Sequence, residues 1–138
     1  MSPDPVVHIQ SFSYKRGIPE EADIVLDARF LNNPYWQEEL RDGSGLDEAV
    51  QAFIQDDPDF ARWLDEQTTW LTWYLPKYRE LRDTFPSIAI GCTGGRHRSV
   101  CVTEHLADRL VEKGFAAAPI HRDINLEFRD LGTAPENP

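Results

Sequence analysis

Apolar positions along this chain alternate between two periods, and the switches between them spell out an α/β order. Residues 6–14 (VVHIQSFSY) are β-branched and aromatic with partial alternation, which predicts a strand. Lys15-Arg16-Gly17 turns the chain, and Ile18-Pro19 prevents an immediate helix. Ile24-Val25-Leu26 is a short run of buried-strand type that closes on Asp27-Ala28-Arg29. Leu46, Val50, Phe53 and Ile54 then fall at helical spacing. A second helical pattern restarts at Asp57-Pro58, with Asp57 as N-cap and Pro58 in the first position. Phe60, Trp63, Leu64, Leu71, Tyr74, Leu75 and Tyr78 share its stripe, and Pro76 is expected to kink or divide it. The stripe reads as core or as a dimer contact. Ile88, Ala89 and Ile90 form the central strand. The helix at 99–113 carries Val100, Thr103, Ala107, Leu110 and Val111 on one face and stops at Gly114. Residues 116–120 predict a last strand.

Two stretches, 31–36 (LNNPYW) and 41–45 (RDGSG), read as loops. They either cover a binding site or interface, or form a surface excursion pinned by Tyr35 and Trp36. The chain of 138 residues is expected to be one domain with its core at about 6–124 and a polar, flexible tail at 125–138.

Strands separated by helices imply an α/β fold: a mostly parallel sheet with flanking helices. In such sheets ligands bind beyond the carboxyl ends of the strands. Those ends carry Lys15 and Arg16, then Asp27 and Arg29, then the 92–98 loop, then His121 and Arg122. Topology gathers them on one rim. The surrounding chain has a net charge of −10, so a basic rim is a local device. The same charge counts against nonspecific nucleic-acid binding. No membrane span or signal peptide is read, and two cysteines make no disulfide framework, so a cytoplasmic setting is expected.

The chemistry concentrates in residues 87–100, SIAIGCTGGRHRSV. Thr93, Gly94 and Gly95 lie where a strand becomes a helix. Glycines there let backbone N–H groups approach an anion, and the helix N-terminus adds positive potential. Arg98 offers a bidentate fork for phosphate, Arg96 and His97 further donors, and Thr93 and Ser99 hydroxyls. Neither a Walker A nor a dinucleotide-binding motif is present, and the paired spacings of a zinc site are missing, so no cofactor and no metal are expected. Cys92-x5-Arg98-Ser99 does match the spacing of cysteine phosphatases, with Cys92 as nucleophile and Arg98 as phosphate clamp. Gly91 stands where those enzymes place a His. Cys92 is otherwise a small buried residue behind the loop.

Six separated segments carry a broader resemblance: FSYKRGIP (12–19), ADIVLDARFLNNPYW (22–36), GLDEAV (45–50), YLPKY (74–78), AIGCTGGRHRSV (89–100) and HRD (121–123). In this order they resemble the C-terminal domain of the RapZ family of RNase adapters. The resemblance implies a fold similar to a phosphofructokinase subdomain and a non-enzymatic module that senses glucosamine-6-phosphate, binds a small regulatory RNA and works in an oligomeric adapter. It implies a sugar-phosphate pocket of Asp27, Arg29, Thr93, Gly94, Gly95, His97, Arg98 and Ser99. Tyr35 replaces a ligand-contacting His, and the resemblance is to a stand-alone domain without the family's N-terminal P-loop domain. An RNA-facing surface would use Lys15, Arg16, Arg96 and Arg122. The family's basic tail is acidic here (Asp130, Glu136), which again counts against RNA. A homodimer through the helix bearing Trp63, Trp70 and Trp73 is the expected assembly.

Overall fold

Strand β1 (Val7–Ser13) has neighbours on both sides, and Val7, Ile9, Ser11, Phe12 and Ser13 lose all solvent contact. It is an inner strand of a four-stranded sheet in the computed structural model, which describes residues 5–125. The other strands are β2 (Ile24–Asp27), β3 (Ile88–Cys92) and β4 (Ala117–His121). The order is β2-β3-β1-β4, and every pairing is parallel. Strand β3 is buried at all five positions, as expected of an apolar run inside a parallel sheet.

Four α-helices follow in chain order: α1 (Glu38–Arg41), α2 (Glu48–Gln55), α3 (Phe60–Arg82) and α4 (Arg98–Glu112). One apolar cluster joins Val7, Ile9, Ile88 and Ile90 of the sheet to Val50 and Ile54 of α2, Leu64, Leu71 and Leu75 of α3, and Val102, Leu106 and Leu110 of α4. These helices therefore share one layer. The connections β2→β3 and β3→β4 cross the sheet in one direction, while β1→β2 crosses in the other. Right-handed crossovers put the first two on the helical face and the third on the opposite face. Chains leaving β1 and β3 thus part to opposite sides. The crevice between their carboxyl ends is the topological switch point, where open α/β sheets take ligands.

Several sequence expectations need correction. The helix placed at Asp57-Pro58 begins at Phe60, with Asp59 at its N-cap. Asp57 instead accepts from the backbone N–H groups of Asn32 (2.8 Å) and Asp59 (2.9 Å), tying the long loop to the helix start. Pro76 does not divide α3, which runs as one 23-residue helix. Leu71 and Leu75 on one side of the proline sit in the same core as Leu64, and that packing outweighs the ~3 kcal/mol a helical proline costs. Val111 is 54% exposed and lies off the buried face of α4. Leu46 precedes α2 and is also exposed. The 31–45 stretch is not all loop: it holds a 3-10 turn at Pro34–Trp36 and the single turn α1. The tail expected to be flexible lies outside the described residues, apart from Asn125. Among the described residues no helix is long and apolar enough to cross a membrane.

Candidate anion-binding site

Residues 93–97 connect β3 to α4 and pack against the end of β1. Ser13 Oγ donates to the Thr93 carbonyl at 2.6 Å. Of the loop glycines, Gly95 takes a left-handed φ of 70°, and a Cβ there would stand 2.7 Å from the Ser13 nitrogen. Only glycine fits that close approach. Gly91, one residue before Cys92, is required for a different reason. The Phe12 and Tyr14 rings lie across it, 2.5 and 2.6 Å from where a Cβ would be. A His at this position, as in cysteine phosphatases, has no room.

The Cys92 sulfur accepts the Gly95 N–H at 3.3 Å and lies 3.1 Å from Ser99 Oγ. It is therefore the hub of the turn, and it is 2% exposed. Helix α4 starts at Arg98, so its first backbone N–H groups, which lack intrahelical partners, follow directly on this turn.

The basic side chains of the loop are held by carbonyls from distant segments. Arg98, 3% exposed, donates to the carbonyls of Arg29 (2.6 Å) and Leu31 (3.5 Å). Arg96 donates to the carbonyls of Gly43 (2.8 Å) and Asp42. His97 Nε2 lies 3.0 Å from the Arg41 carbonyl. A carbonyl only accepts, so that nitrogen carries the proton. Gly45 closes the clamp by donating its N–H to the Arg96 carbonyl at 2.8 Å. The 41–45 excursion is thus fastened directly over the loop.

At the end of β2, Asp27 and Arg29 form a fork-to-fork pair, with Nε–Oδ1 at 3.0 Å and Nη2–Oδ2 at 2.7 Å. The Arg29 guanidinium also lies 3.8 Å from the centre of the Tyr14 ring. Hydrogen bonding to Arg29 holds the Asp27 carboxyl below its ordinary value. Burial, then the Asp27 charge, pushes the Tyr14 phenol up. Tyr14 had no place in the sequence-based set, yet it joins the β1 end to Asp27, Arg29 and Cys92. Its position two residues past Phe12 in a β1 extension was the available signal.

The remaining residues fall nearby or elsewhere. Tyr35 packs on Trp36 and under the Arg41 guanidinium, one layer from His97. Arg122 holds Asp123 (2.9 Å) and the Gly17 carbonyl (2.7 Å) and lies over Phe12. Asp123, missed in the sequence, accepts the Ser13 N–H at 2.7 Å and so fixes the β1 end from below. Lys15 and Arg16 occupy the 3-10 turn after β1. His121 turns toward the helical layer, between Ser11 Oγ (2.7 Å) and Glu104 Oε2 (2.8 Å), and not toward the crevice.

Burial, more than any other cause, pushes the His97 imidazole below its ordinary 6.5. The unfolded chain then takes up a proton that the fold resists, so stability is full above 6.5 and falls as pH drops through that value toward the folded one. Urea midpoints are expected to decline from neutral to mildly acidic pH, and less steeply in His97→Gln. Equal slopes would show that His97 does not set this dependence.

These features define a parallel α/β domain with a glycine turn and a helix N-terminus at its topological switch point. The chain belongs to the RapZ C-terminal domain family, whose model matches residues 5–125. Among curated relatives it is 45% identical over 122 residues to a nucleotide-binding protein of Rhodospirillum rubrum, covering 88% of this chain and 38% of that protein. It is 44% identical over 126 residues to one of Dinoroseobacter shibae, covering 91% and 41%. It is 44% identical over 118 residues to one of Corynebacterium jeikeium, covering 86% and 40%. The chain therefore spans about two-fifths of the length of these relatives.

Proposed function

We propose that this chain is a phosphometabolite-binding regulatory module whose ligand is an amino-sugar phosphate such as glucosamine-6-phosphate. The observation that carries this reading is the switch-point cradle: Gly95 pressed on Ser13, the α4 N-terminus beside it, and Asp27 and Arg29 across the crevice. The loop amides and the helix end suit a phosphate. The half-exposed Asp27 carboxylate suits a cationic amine at the other end of the same small molecule. Relatives named as nucleotide-binding make a nucleotide the rival phosphate compound.

Calorimetric titration distinguishes them. Glucosamine-6-phosphate is expected to bind, glucose-6-phosphate to bind more weakly, and Asp27→Asn to remove the difference between the two. Absence of heat with every phosphorylated compound would reject the reading. Preference for a nucleoside phosphate would reject the sugar.

A second reading rests on Cys92, whose sulfur receives Gly95 and adjoins the Ser99 hydroxyl in the manner a thiolate nucleophile needs. Slow turnover of an aryl phosphate that vanishes in Cys92→Ser would support it. The burial of that sulfur and the engagement of Arg98 by carbonyls favour binding over turnover. RNA binding has less support, because Arg96 and Arg122 direct their guanidinium groups to carbonyls and Asp123.

A further inference from the structure

The amino ends of the strands form a second concave region, at the opposite end of the sheet from the 93–97 loop. A hollow of about 670 Å³ lies there, between the carboxyl ends of α3 and α4 and the segments that enter β3 and β4. Phe85 and Phe115 meet edge to face in its wall, with ring centres 5.8 Å apart and an interplanar angle of 75°. Both rings are anchored on the main core, and Pro76 adds a stiff apolar wall. A hollow of this size with an aromatic floor suits a small organic molecule.

The charged groups of the lining are Arg79, Glu80 and Asp83. Arg79 places its guanidinium 5.6 Å from the centre of the Phe85 ring. Glu80 and Asp83 are exposed, and neither has an ion-pair partner among the described residues. Both stand at the negative end of the α3 dipole, where a carboxylate is unfavourable. Asp83 carries a second cost. It caps α3 with a left-handed φ of 59°, alone among the described non-glycine residues. Glycine or asparagine takes that conformation without the added charge. Helix α4 ends beside it, so two helix carboxyl termini and two carboxylates make one negative rim above the aromatic floor. Packing gives no reason to hold two acids and a strained cap there, whereas a cationic ligand does.

We propose that this hollow binds a small amphipathic amine, its apolar body against Phe85 and Phe115 and its ammonium group at Glu80 and Asp83. The ammonium gains two charge-assisted partners, and the body gains an edge-to-face aromatic wall. Arg79 is engaged with Phe85, and its one charge against two carboxylates leaves the rim negative. No residue of the crevice site lines the hollow, so the two readings fail independently.

Amide NMR titration of the full chain with three probes of one body tests it: tryptamine, the alcohol tryptophol and the anion indole-3-acetate. Tryptamine is expected to shift the amides of Asp83, Phe85 and Phe115 and to leave those of residues 93–98 in place. Tryptophol should bind about tenfold more weakly, and indole-3-acetate more weakly still. Glu80→Gln combined with Asp83→Asn should erase the preference for the amine over the alcohol. Both residues are exposed and asparagine accepts the left-handed cap, so the circular dichroism and unfolding midpoint should hold. Absence of shifts around the hollow at millimolar tryptamine would overturn the site. Equal or tighter binding of tryptophol or indole-3-acetate, or a preference for the amine that survives in the double variant, would overturn the role of the two carboxylates.

Discussion

Gly45→Ala is expected to lower stability by about 3 kcal/mol, at the upper end of what a single added methyl group costs in a packed interior. A Cβ at Gly45 would overlap the His97 carbonyl oxygen and stand 2.5 Å from the Cys101 nitrogen and 2.8 Å from Val100 Cβ. The first two are backbone atoms at the start of α4, so no rotamer change relieves the clash. The same substitution should loosen the Gly45 N–H to Arg96 carbonyl bond and with it the cover over the 93–97 loop. Gly43→Ala supplies the comparison, because its nearest obstacle is the flexible Asp47 carboxylate. Urea unfolding should show Gly45→Ala well below Gly43→Ala. Equal costs would mean that the 41–45 excursion does not clamp the loop.

Arg98→Met should cost about 2–4 kcal/mol and remove the phosphate binding proposed above. Methionine approximates the length of the aliphatic stem, so the loss isolates the guanidinium. Two carbonyls, of Arg29 and Leu31, would lose a buried charged donor. Arg98→Lys is expected to rescue little, since Nη1 alone serves both carbonyls and an ammonium in its place has no further nitrogen to offer an anion. Unfolding midpoints combined with calorimetry separate the two roles. Full phosphate affinity in a folded Arg98→Met protein would place the anion elsewhere.

The two substitutions probe one arrangement from opposite sides. Gly45 presses the long β2–α2 connection onto the loop from outside, and Arg98 draws the first part of that connection in from beneath. The loop is thereby held in place by two distant segments, a preorganisation that would lower the ordering cost of the binding proposed above.

Much of this was legible from local pattern. The alternating and continuous apolar runs located all four strands: β3, inside the parallel sheet, is apolar on both faces, and the half-exposed edge strands β2 and β4 still carry short apolar runs. Glycine at 114 marked the end of α4 correctly, and its φ of 96° shows why. The start of α3 was misplaced because Asp57 is a good cap in isolation, yet its carboxylate is used by Asn32, 25 residues earlier. The effect of Pro76 was overstated because helix propensity is local, whereas the burial of Leu71 and Leu75 is not.

The same division holds at the candidate site. The residues alone determined that a strand, a glycine turn and a helix N-terminus meet at 92–98, and that such a turn offers amides to an anion. Only the tertiary structure decided what the loop's own cations do. Arg96, His97 and Arg98 find their carbonyl partners 53 to 69 residues away along the chain, among residues 29–43. A guanidinium announces five donors in any sequence. Which acceptors fill them depends on which segment is folded against it, and no local periodicity carries that information.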